Sequence, residues 1–175
     1  MNGPTNREIF QNAWVVEDVY AAIQKWSSNL GVGPFFVTEY RDVFADVTYR
    51  GEPAELNMIV ALAQAGPIQV ELIQPLTDRC AYRDSVPQGD GFHHMCVWSE
   101  DFAADCAYFE QRGFVAANTG RVGAVSFGYF DTRPLMGCMM EIVSRNPATE
   151  ARFAQIAQAA ASWDGINPIY QELQR

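Results

Sequence analysis

The stretch QNAWVVED (Gln11–Asp18) decides the fold, because the chain repeats its pattern later as HMCVWSED (His94–Asp101). Each copy opens an apolar strand with a polar residue and reaches an Asp seven residues later. Each copy then runs into a segment with helical spacing, which stops at Gly31 in the first half and at Gly113 in the second. The two halves therefore look like copies of one unit.

Each half also closes with a Glu in the middle of an aliphatic strand. These strands are VELI (Val70–Ile73) and MEIV (Met140–Val143). A carboxylate inside such a strand is costly to bury unless it is paired or bound to a cation. A duplicated unit with a polar residue at its start and a carboxylate at its end can place four ligands between its copies.

Local patterns predict the same order of elements in both halves. The first half is predicted to form a strand at 8–16, a helix between Asp18 and Gly31, and three further strands: one near 35–41, one near 44–50, and one at 55–63 that leads through Gly66 and Pro67 to 68–74. The second half is predicted to form a strand at 92–98, a helix at 101–112, and strands near 114–118, 123–131 and 137–144.

These elements predict an α+β fold in a single domain over residues 1–175. Its parts are a βαβββ module at 8–75, a linker at 76–90, a second βαβββ module at 91–145, and a C-terminal helix and tail at 146–175. Two such modules are expected to form a curled mixed sheet around one cleft.

Composition limits the classes of partner. The net charge of −9 argues against nucleic acid and anionic membranes as partners, and favours a small molecule. No apolar run reaches the roughly 18 residues of a membrane span, and the N-terminus lacks the regions of a signal peptide, so a cytoplasmic protein is expected. The four cysteines show no CxxC spacing, which favours reduced thiols over a zinc finger or a disulfide scaffold.

A local cation could still hold a small anionic substrate. The candidates for this role, each of which could equally be an ordinary surface charge, are Arg41, Arg50, Arg121 and Arg133.

Strand alternation tests whether the polar candidates can meet. Gln11 shares a strand face with Ala13, and His94 shares one with Cys96, so a small residue beside each presumed ligand leaves room for a substrate. Together with two carboxylates, one imidazole and one amide oxygen suit a divalent ion such as zinc, nickel, cobalt or manganese. The predicted metal ligands are Gln11, Glu71, His94 and Glu141.

His93 and His94 are neighbours, so alternation predicts that their side chains point to opposite faces. His94 is chosen as the ligand by its spacing to Asp101, and His93 is expected behind the ligands, at the rim or in the packing. An iron oxygenase site generally needs two His and one carboxylate. With only two His in the chain, adjacent on one strand, an extradiol dioxygenase is disfavoured.

These residues resemble the vicinal oxygen chelate superfamily, which includes glyoxalase I, methylmalonyl-CoA epimerase, extradiol dioxygenases and bleomycin-resistance proteins. The resemblance covers roughly residues 8–145 and is closest in style to the epimerase-like and glyoxalase-like members. It implies metal ligands at the four matched positions and a homodimer. Epimerase-like members usually carry His at the position of Gln11 and Gln at that of Glu71, so this ligand set looks more like a zinc-type glyoxalase I. The motifs that carry the resemblance are Gln11–Asp18, Gly31–Phe35, Val70–Pro75, Gly91–His94 and Met140–Val143.

The expected activity is a metal-dependent epimerase, isomerase or lyase that moves a proton next to the carbonyl of a small molecule or thioester. Glu141 is the expected base and Glu71 the second carboxylate, although either could be a purely structural ligand. The alternatives are a metal-independent protein that sequesters a drug and, less favoured, the dioxygenase.

Overall fold

The structure is a computed structural model that describes residues 7–170. Its strands are β1 (Ile9–Val15), β2 (Phe36–Tyr40), β3 (Phe44–Tyr49), β4 (Glu52–Pro53), β5 (Met58–Ala65), β6 (Ile68–Pro75), β7 (Gly91–Ser99), β8 (Ala116–Val122), β9 (Val125–Phe130) and β10 (Met139–Ser144). Its helices are α1 (Val19–Leu30), α2 (Ala81–Ser85), α3 (Phe102–Glu110), α4 (Arg133–Met136) and α5 (Pro147–Ala161).

The strands form one mixed sheet in the order β2-β5-β6-β1-β7-β10-β9-β8-β3-β4. β2 lies at one edge and β3 lies next to the other, yet only residues 41–43 separate them in the chain. Four peptide steps span at most about 14 Å, so the sheet must curl until its two ends approach. The α+β fold with a curled mixed sheet and a C-terminal helix, predicted from the sequence, is confirmed.

The repeat seen in the sequence appears as two equivalent sets of strands. β1 runs parallel to β6 in the first half, and β7 runs parallel to β10 in the second. β1 and β7 pair antiparallel at the centre of the sheet, which joins the halves. β3 departs from this plan, because it belongs to the first half but pairs antiparallel with β8 of the second half. A strand of the first half therefore lies at the end of the sheet opposite β2.

The two longer helices of the repeat begin as the sequence predicts. The Asp18 carboxylate caps α1 by accepting from the backbone N–H groups of Tyr20 and Ala21, and Gly31 ends this helix in the left-handed conformation. The Asp101 carboxylate caps α3 by accepting from the N–H of Ala104. Val70 and Leu72 of β6 lie under α1, and Met140 and Ile142 of β10 lie under α3. The opposite side chains of β6 and β10 are therefore free to face the interior of the curl.

Two short helices, α2 and α4, were not anticipated. α2 lies within residues 76–90, which the sequence suggested were a linker without periodicity. Its side chains, led by the fully buried Tyr82, pack inside the curled sheet with residues such as Ala13 and Met139. A five-residue helix shows no usable periodicity, and its burial comes from tertiary packing alone. α2 therefore fills one part of the curl and leaves the rest as a cleft.

The chain after β10 covers part of the same cleft. α5 packs Phe153 against Phe10 and Trp98, and its Ile156 is fully buried. The tail returns to the first half, where Ile169 forms a bridge with Phe35. Among the described residues, no helix has the length and apolar character needed to span a membrane. All four cysteines are free thiols.

Candidate metal centre

Strand register brings the four predicted ligands onto the inner face of the curled sheet. Across β6, β1, β7 and β10, one row of paired residues is Gln69, Gln11, Cys96 and Glu141, and the next row is Glu71, Ala13, His94 and Met139. Small side chains therefore stand between the polar ones in each row. Because Ala13 and Cys96 occupy little space, the longer side chains on either side can converge above them.

The three ionisable candidates converge in a buried cluster. Ligand atoms of Glu71, His94 and Glu141 all lie within 4.8 Å of one another. His94 Nε2 is 3.1 Å from Glu141 Oε2 and 3.4 Å from Glu71 Oε2. Neither contact is a hydrogen bond, so His94 Nε2 and Glu71 Oε2 are buried polar atoms without a partner. Buried polar atoms are rarely left unpaired, which makes this point of the cleft fit a cation.

The prediction that His93 and His94 point to opposite faces is wrong. Ala13 pairs with His94, but the next residue, Trp14, pairs with Phe92, so His93 is the extra residue of a β-bulge. Both imidazoles consequently lie inside the curl, and the His93 ring centroid is 5.0 Å from that of Tyr82. The sequence could not reveal the bulge, because it arises from pairing with a distant strand.

The bulged His93 still does not supply a second imidazole ligand. Its Nε2 is 3.0 Å from the carbonyl oxygen of Ala81 in α2, and its Nδ1 is 2.8 Å from Nδ1 of His94. A carbonyl only accepts, so His93 Nε2 donates there and His93 Nδ1 accepts from His94 Nδ1. His94 is thereby held with Nε2 directed at the two carboxylates. A two-His iron site is therefore disfavoured because both ring nitrogens of His93 are hydrogen-bonded, and not because the two imidazoles face opposite ways.

The charges of the cluster are strongly coupled. Burial opposes protonation of His94, but the carboxylates of Glu141 and Glu71 outweigh it and raise its pKa to about 9. Burial raises the pKa of Glu71 although His94 opposes this rise, and the Glu141 charge adds to it. Burial and the neighbouring His94 hold the pKa of His93 well below its usual value, so His93 is neutral. Either a proton or a metal cation must therefore balance the carboxylates beside His94 Nε2.

Gln11 is held by a second glutamine. Its Nε2 donates to Gln69 Oε1 at 2.7 Å, and both side chains are buried. This bond leaves Gln11 Oε1 as the free acceptor, which is the atom that an amide ligand uses. Gln11 lines the same cleft as Glu71 and Glu141. Gln69 thus supports Gln11 as His93 supports His94. A place for His93 behind the ligands was among the expectations from the sequence, whereas no sequence pattern pointed to Gln69.

The cleft above the cluster has a volume of about 500 Å³. Its wall is mainly aromatic and aliphatic, and α5 contributes one side of it. The only cationic side chain among the described lining residues is Arg152 of α5. Aromatic residues from both halves line the wall, namely Phe10, Tyr40, Phe44, Phe127, Tyr129 and Phe153.

None of the arginines suggested for an anionic substrate lines this cleft. Instead, each of them pairs with a carboxylate elsewhere: Arg41 with Glu39, Arg50 with Asp84 and Asp131, Arg121 with Asp46, and Arg133 with Asp131. Arg152 was missed. An arginine near Phe153 on the cleft-facing side of α5 was the available signal, but nothing in the sequence placed α5 over the cleft.

Comparison with solved structures agrees with this architecture. A methylmalonyl-CoA epimerase in complex with methylmalonyl-CoA and NH4+ superimposes with a TM-score of 0.57 at 15% identity, covering 81% of this chain and 96% of the other. The methylmalonyl-CoA epimerase of Mycobacterium tuberculosis gives 0.55 at 19% identity, with 81% and 90% covered. A hypothetical protein from Bacillus halodurans C-125 gives 0.55 at 14% identity, with 81% and 96% covered. At these identities the likeness shows the fold.

The sequence itself assigns the family. A search of curated proteins finds no match to this chain. Residues 10–129 match the sequence model of a known superfamily, which is more than half of the chain. The protein belongs to the Glyoxalase/Bleomycin resistance protein/Dioxygenase superfamily.

Proposed function

We propose that the protein is a metal-dependent epimerase, isomerase or lyase of the glyoxalase-like type, which moves a proton next to the carbonyl of a small molecule or thioester. The observation that carries this proposal is the buried cluster of Glu71, His94 and Glu141, in which a nitrogen and a carboxylate oxygen face each other without partners. Two carboxylates facing an apolar cleft suit proton transfer at carbon. The likeness to epimerase folds supports the same class.

Gln11, Glu71, His94 and Glu141 would hold the divalent ion, with zinc, nickel, cobalt or manganese as candidates. When bound, such an ion polarises a carbonyl oxygen and stabilises the negative charge that develops as the neighbouring proton leaves. The donor set fits this role, since it combines an imidazole nitrogen with oxygen donors and keeps the carboxylates in a buried place that favours a cation.

The two carboxylates reach the cleft from different strands. Glu141 projects from β10 in the second half, and Glu71 projects from β6 in the first. Glu141 is the proposed base that removes the proton, and Glu71 is the carboxylate that works from the other side. If both transfer protons, the configuration at carbon can invert, which is epimerisation. If only Glu141 does, the result is an isomerisation or a lyase reaction.

The apolar wall of the cleft would limit contact between water and the reacting carbon. Tyr129 stands beside Glu141 in register, and its hydroxyl lies 2.8 Å from that of Tyr82. Burial raises the pKa of Tyr129 well above its usual value, and the Glu141 charge adds to this, so its hydroxyl stays neutral. A water-poor site strengthens the electrostatic interactions that the proton transfer needs.

Two measurements test the proposal. Metal content is determined for protein purified without a histidine tag, with Glu141→Gln as the comparison variant. Exchange of the substrate α-hydrogen with deuterated water is followed for methylmalonyl-CoA and for the methylglyoxal–glutathione adduct. Bound divalent metal that falls in the variant, together with exchange of either compound, is the expected result. A folded protein whose stability ignores added metal would overturn the metal-dependent reaction.

The large apolar cleft also favours a second candidate, a protein that sequesters an aromatic drug without a metal. The observation behind it is the aromatic lining drawn from both halves. Such a protein binds no cation, so two carboxylates directed inward would add only the cost of burying their charges. Stoichiometric binding of a drug without turnover, unaffected by Glu141→Gln, would favour this candidate over the enzyme.

A further inference from the structure

The mouth of the cleft carries an unpaired cation. Seven described arginines form ion pairs with Asp or Glu: Arg7, Arg41, Arg50, Arg83, Arg121, Arg133 and Arg145. Within residues 7–170, Arg152 has no such partner, although it lies in the wall of a cleft that contains two carboxylates deeper inside. The guanidinium is therefore available to an anion that enters the cleft.

Arg152 is held in position by the edge strand β2. Its Nη2 donates to Thr38 Oγ1 at 3.3 Å, and its guanidinium carbon lies 5.9 Å from the centroid of the Phe36 ring. These contacts use one N–H and one face of the guanidinium, which leaves the other donors free. A planar guanidinium with free donors is the side chain that best matches a carboxylate.

Two hydroxyl groups of β2 lie on the same face of the sheet as the cleft. Thr38 pairs with Val60 and Tyr40 pairs with Met58, and both partners line the cleft. Tyr40 is half-buried, and burial raises the pKa of its hydroxyl, with the Glu71 charge acting in the same direction and Arg152 opposing it. The hydroxyl is therefore protonated and can donate. Hydrogen-bond donors thus gather at this end of the cleft.

The donor group lies at a fixed distance from the candidate metal ligands. Glu71 pairs with Leu62, which pairs with Phe36, so Glu71 and β2 are separated by two strand spacings. Thr38 is two residues further along β2. The Cα atoms of Thr38 and Glu71 are then about 12 Å apart along the sheet, which a small molecule and the two inward side chains can bridge.

We propose that Arg152, Thr38 and Tyr40 form a carboxylate-binding subsite at the mouth of the cleft. The substrate is accordingly a small carbonyl compound with an apolar body and a carboxylate at the end remote from the reacting carbon. This inference rests on the proposed function, since it takes the carbonyl end to lie at Gln11, Glu71, His94 and Glu141. A single guanidinium matches a single carboxylate, and the described lining residues add no other cation.

Matched ligands test the subsite by binding, without reference to turnover. The probes are 2-oxoglutarate and 2-oxoadipate, each compared with the 2-oxo monocarboxylate of the same carbon number. Both members of a pair present the same vicinal oxygens to a metal ion, and only one carries the distal carboxylate. Isothermal titration calorimetry on the Co²⁺-loaded full-length protein should show that at least one dicarboxylate binds about tenfold more tightly than its partner.

Variants then assign the preference to the subsite. Arg152→Gln should remove the preference by weakening only the dicarboxylate, and Arg152→Lys should retain part of it. Arg112→Gln is the matched control, because Arg112 lies over the Tyr108 ring away from the cleft, and it should bind as the wild type does. Thermal unfolding of each variant checks that the fold is intact.

The outcomes separate the two proposals. Equal binding of both members of every pair, or a preference that survives in Arg152→Gln, overturns the carboxylate subsite and leaves the proposed function standing. A protein that takes up no Co²⁺ overturns the proposed function and the subsite with it. A Co²⁺-loaded protein that binds neither member of any pair overturns the carboxylate subsite alone.

Discussion

The two halves of the molecule share one backbone plan but hold their polar residues differently. In the first half, Gln11 is supported by a second amide, Gln69. In the second, a β-bulge turns His93 inward behind His94 and connects it to the carbonyl of Ala81. The first half thus offers oxygen donors alone, and the second adds a nitrogen. The comparison teaches that the two copies of a duplicated scaffold can differ both in a candidate ligand and in the side chain that supports it.

The largest expected difference between the halves concerns their carboxylates. Glu141→Gln should slow exchange of the substrate α-hydrogen by about 10²- to 10⁴-fold, because the proposed base is lost while the shape is kept. Glu71→Gln should retain exchange but lose inversion of configuration, since one base still acts from one side. Exchange and inversion are followed together by proton NMR in deuterated water.

Metal content must be measured for both carboxylate variants, so that loss of a ligand is distinguished from loss of a base. The assignment of the base to Glu141 is wrong if Glu71→Gln abolishes exchange while Glu141→Gln retains it at equal metal occupancy. In that case the base belongs to the first half.

The next difference lies in the supporting residues. His93→Phe should weaken the binding of Zn²⁺ or Co²⁺ about 10- to 100-fold, because His94 loses the acceptor that fixes its tautomer. Gln69→Leu should weaken it less than about tenfold, since the amide of Gln11 is the weaker ligand. Competition with a chromophoric chelator measures both affinities.

His93→Gln is the control for the His93→Phe variant. A glutamine can replace part of the hydrogen bonding of His93, so it should recover part of the metal affinity. Urea unfolding of the metal-free proteins separates lost stability from lost metal binding. Equal affinities for the His93→Phe and wild-type proteins would show that His94 needs no support from the bulge.

Local rules accounted for much of this architecture. Asp18 and Asp101 as helix caps, Gly31 as a helix end, and the inward faces of β6 and β10 all follow from short-range sequence patterns. Alternation along β1 and β7 was enough to bring Gln11 and His94 to one face, because each of them pairs within a regular part of its strand.

The features that escaped the sequence depend on distant partners. The bulge at His93 exists only because β7 pairs with β1 in a shifted register. β3 was predicted as a strand, but its partner β8 lies about 70 residues away, and no local signal selects it. The presence of Arg152 in the cleft wall likewise depends on α5 lying over the cleft. In each case tertiary packing decided what local preference left open.

A smaller effect, on the free energy of unfolding, is expected from the ion pairs between the first half and the second. Arg50 follows β3 and pairs with Asp131, which follows β9, at 3.0 Å, and Arg133 contacts the same carboxylate at 2.6 Å. The bond from Arg133 and the further bond from Arg50 lower the pKa of Asp131 to about 2. Asp131→Asn should therefore lower the free energy of unfolding at pH 7 by about 1–2 kcal/mol.

The pH dependence of this effect has a defined sign. A carboxyl group whose pKa falls on folding stabilises the folded state above its unfolded value of 3.8, and this stabilisation is lost as the pH falls through about 2. The difference between wild type and Asp131→Asn in urea unfolding should therefore shrink by about half between pH 7 and pH 3. A difference that is constant with pH would show that packing, and not charge, joins the halves here.

The smallest difference between the halves lies in their helix caps. The Asp18 carboxylate accepts from two backbone N–H groups, at 2.9 and 3.0 Å, whereas that of Asp101 accepts from one at 3.0 Å. Asp18→Ala should therefore cost about 1 kcal/mol of unfolding free energy and Asp101→Ala about 0.5 kcal/mol. Asp→Asn at each position should stay close to wild type, because asparagine caps equally well. If both alanine variants cost the same, the second hydrogen bond at Asp18 adds nothing, and the two helices begin with equal stability despite their different caps.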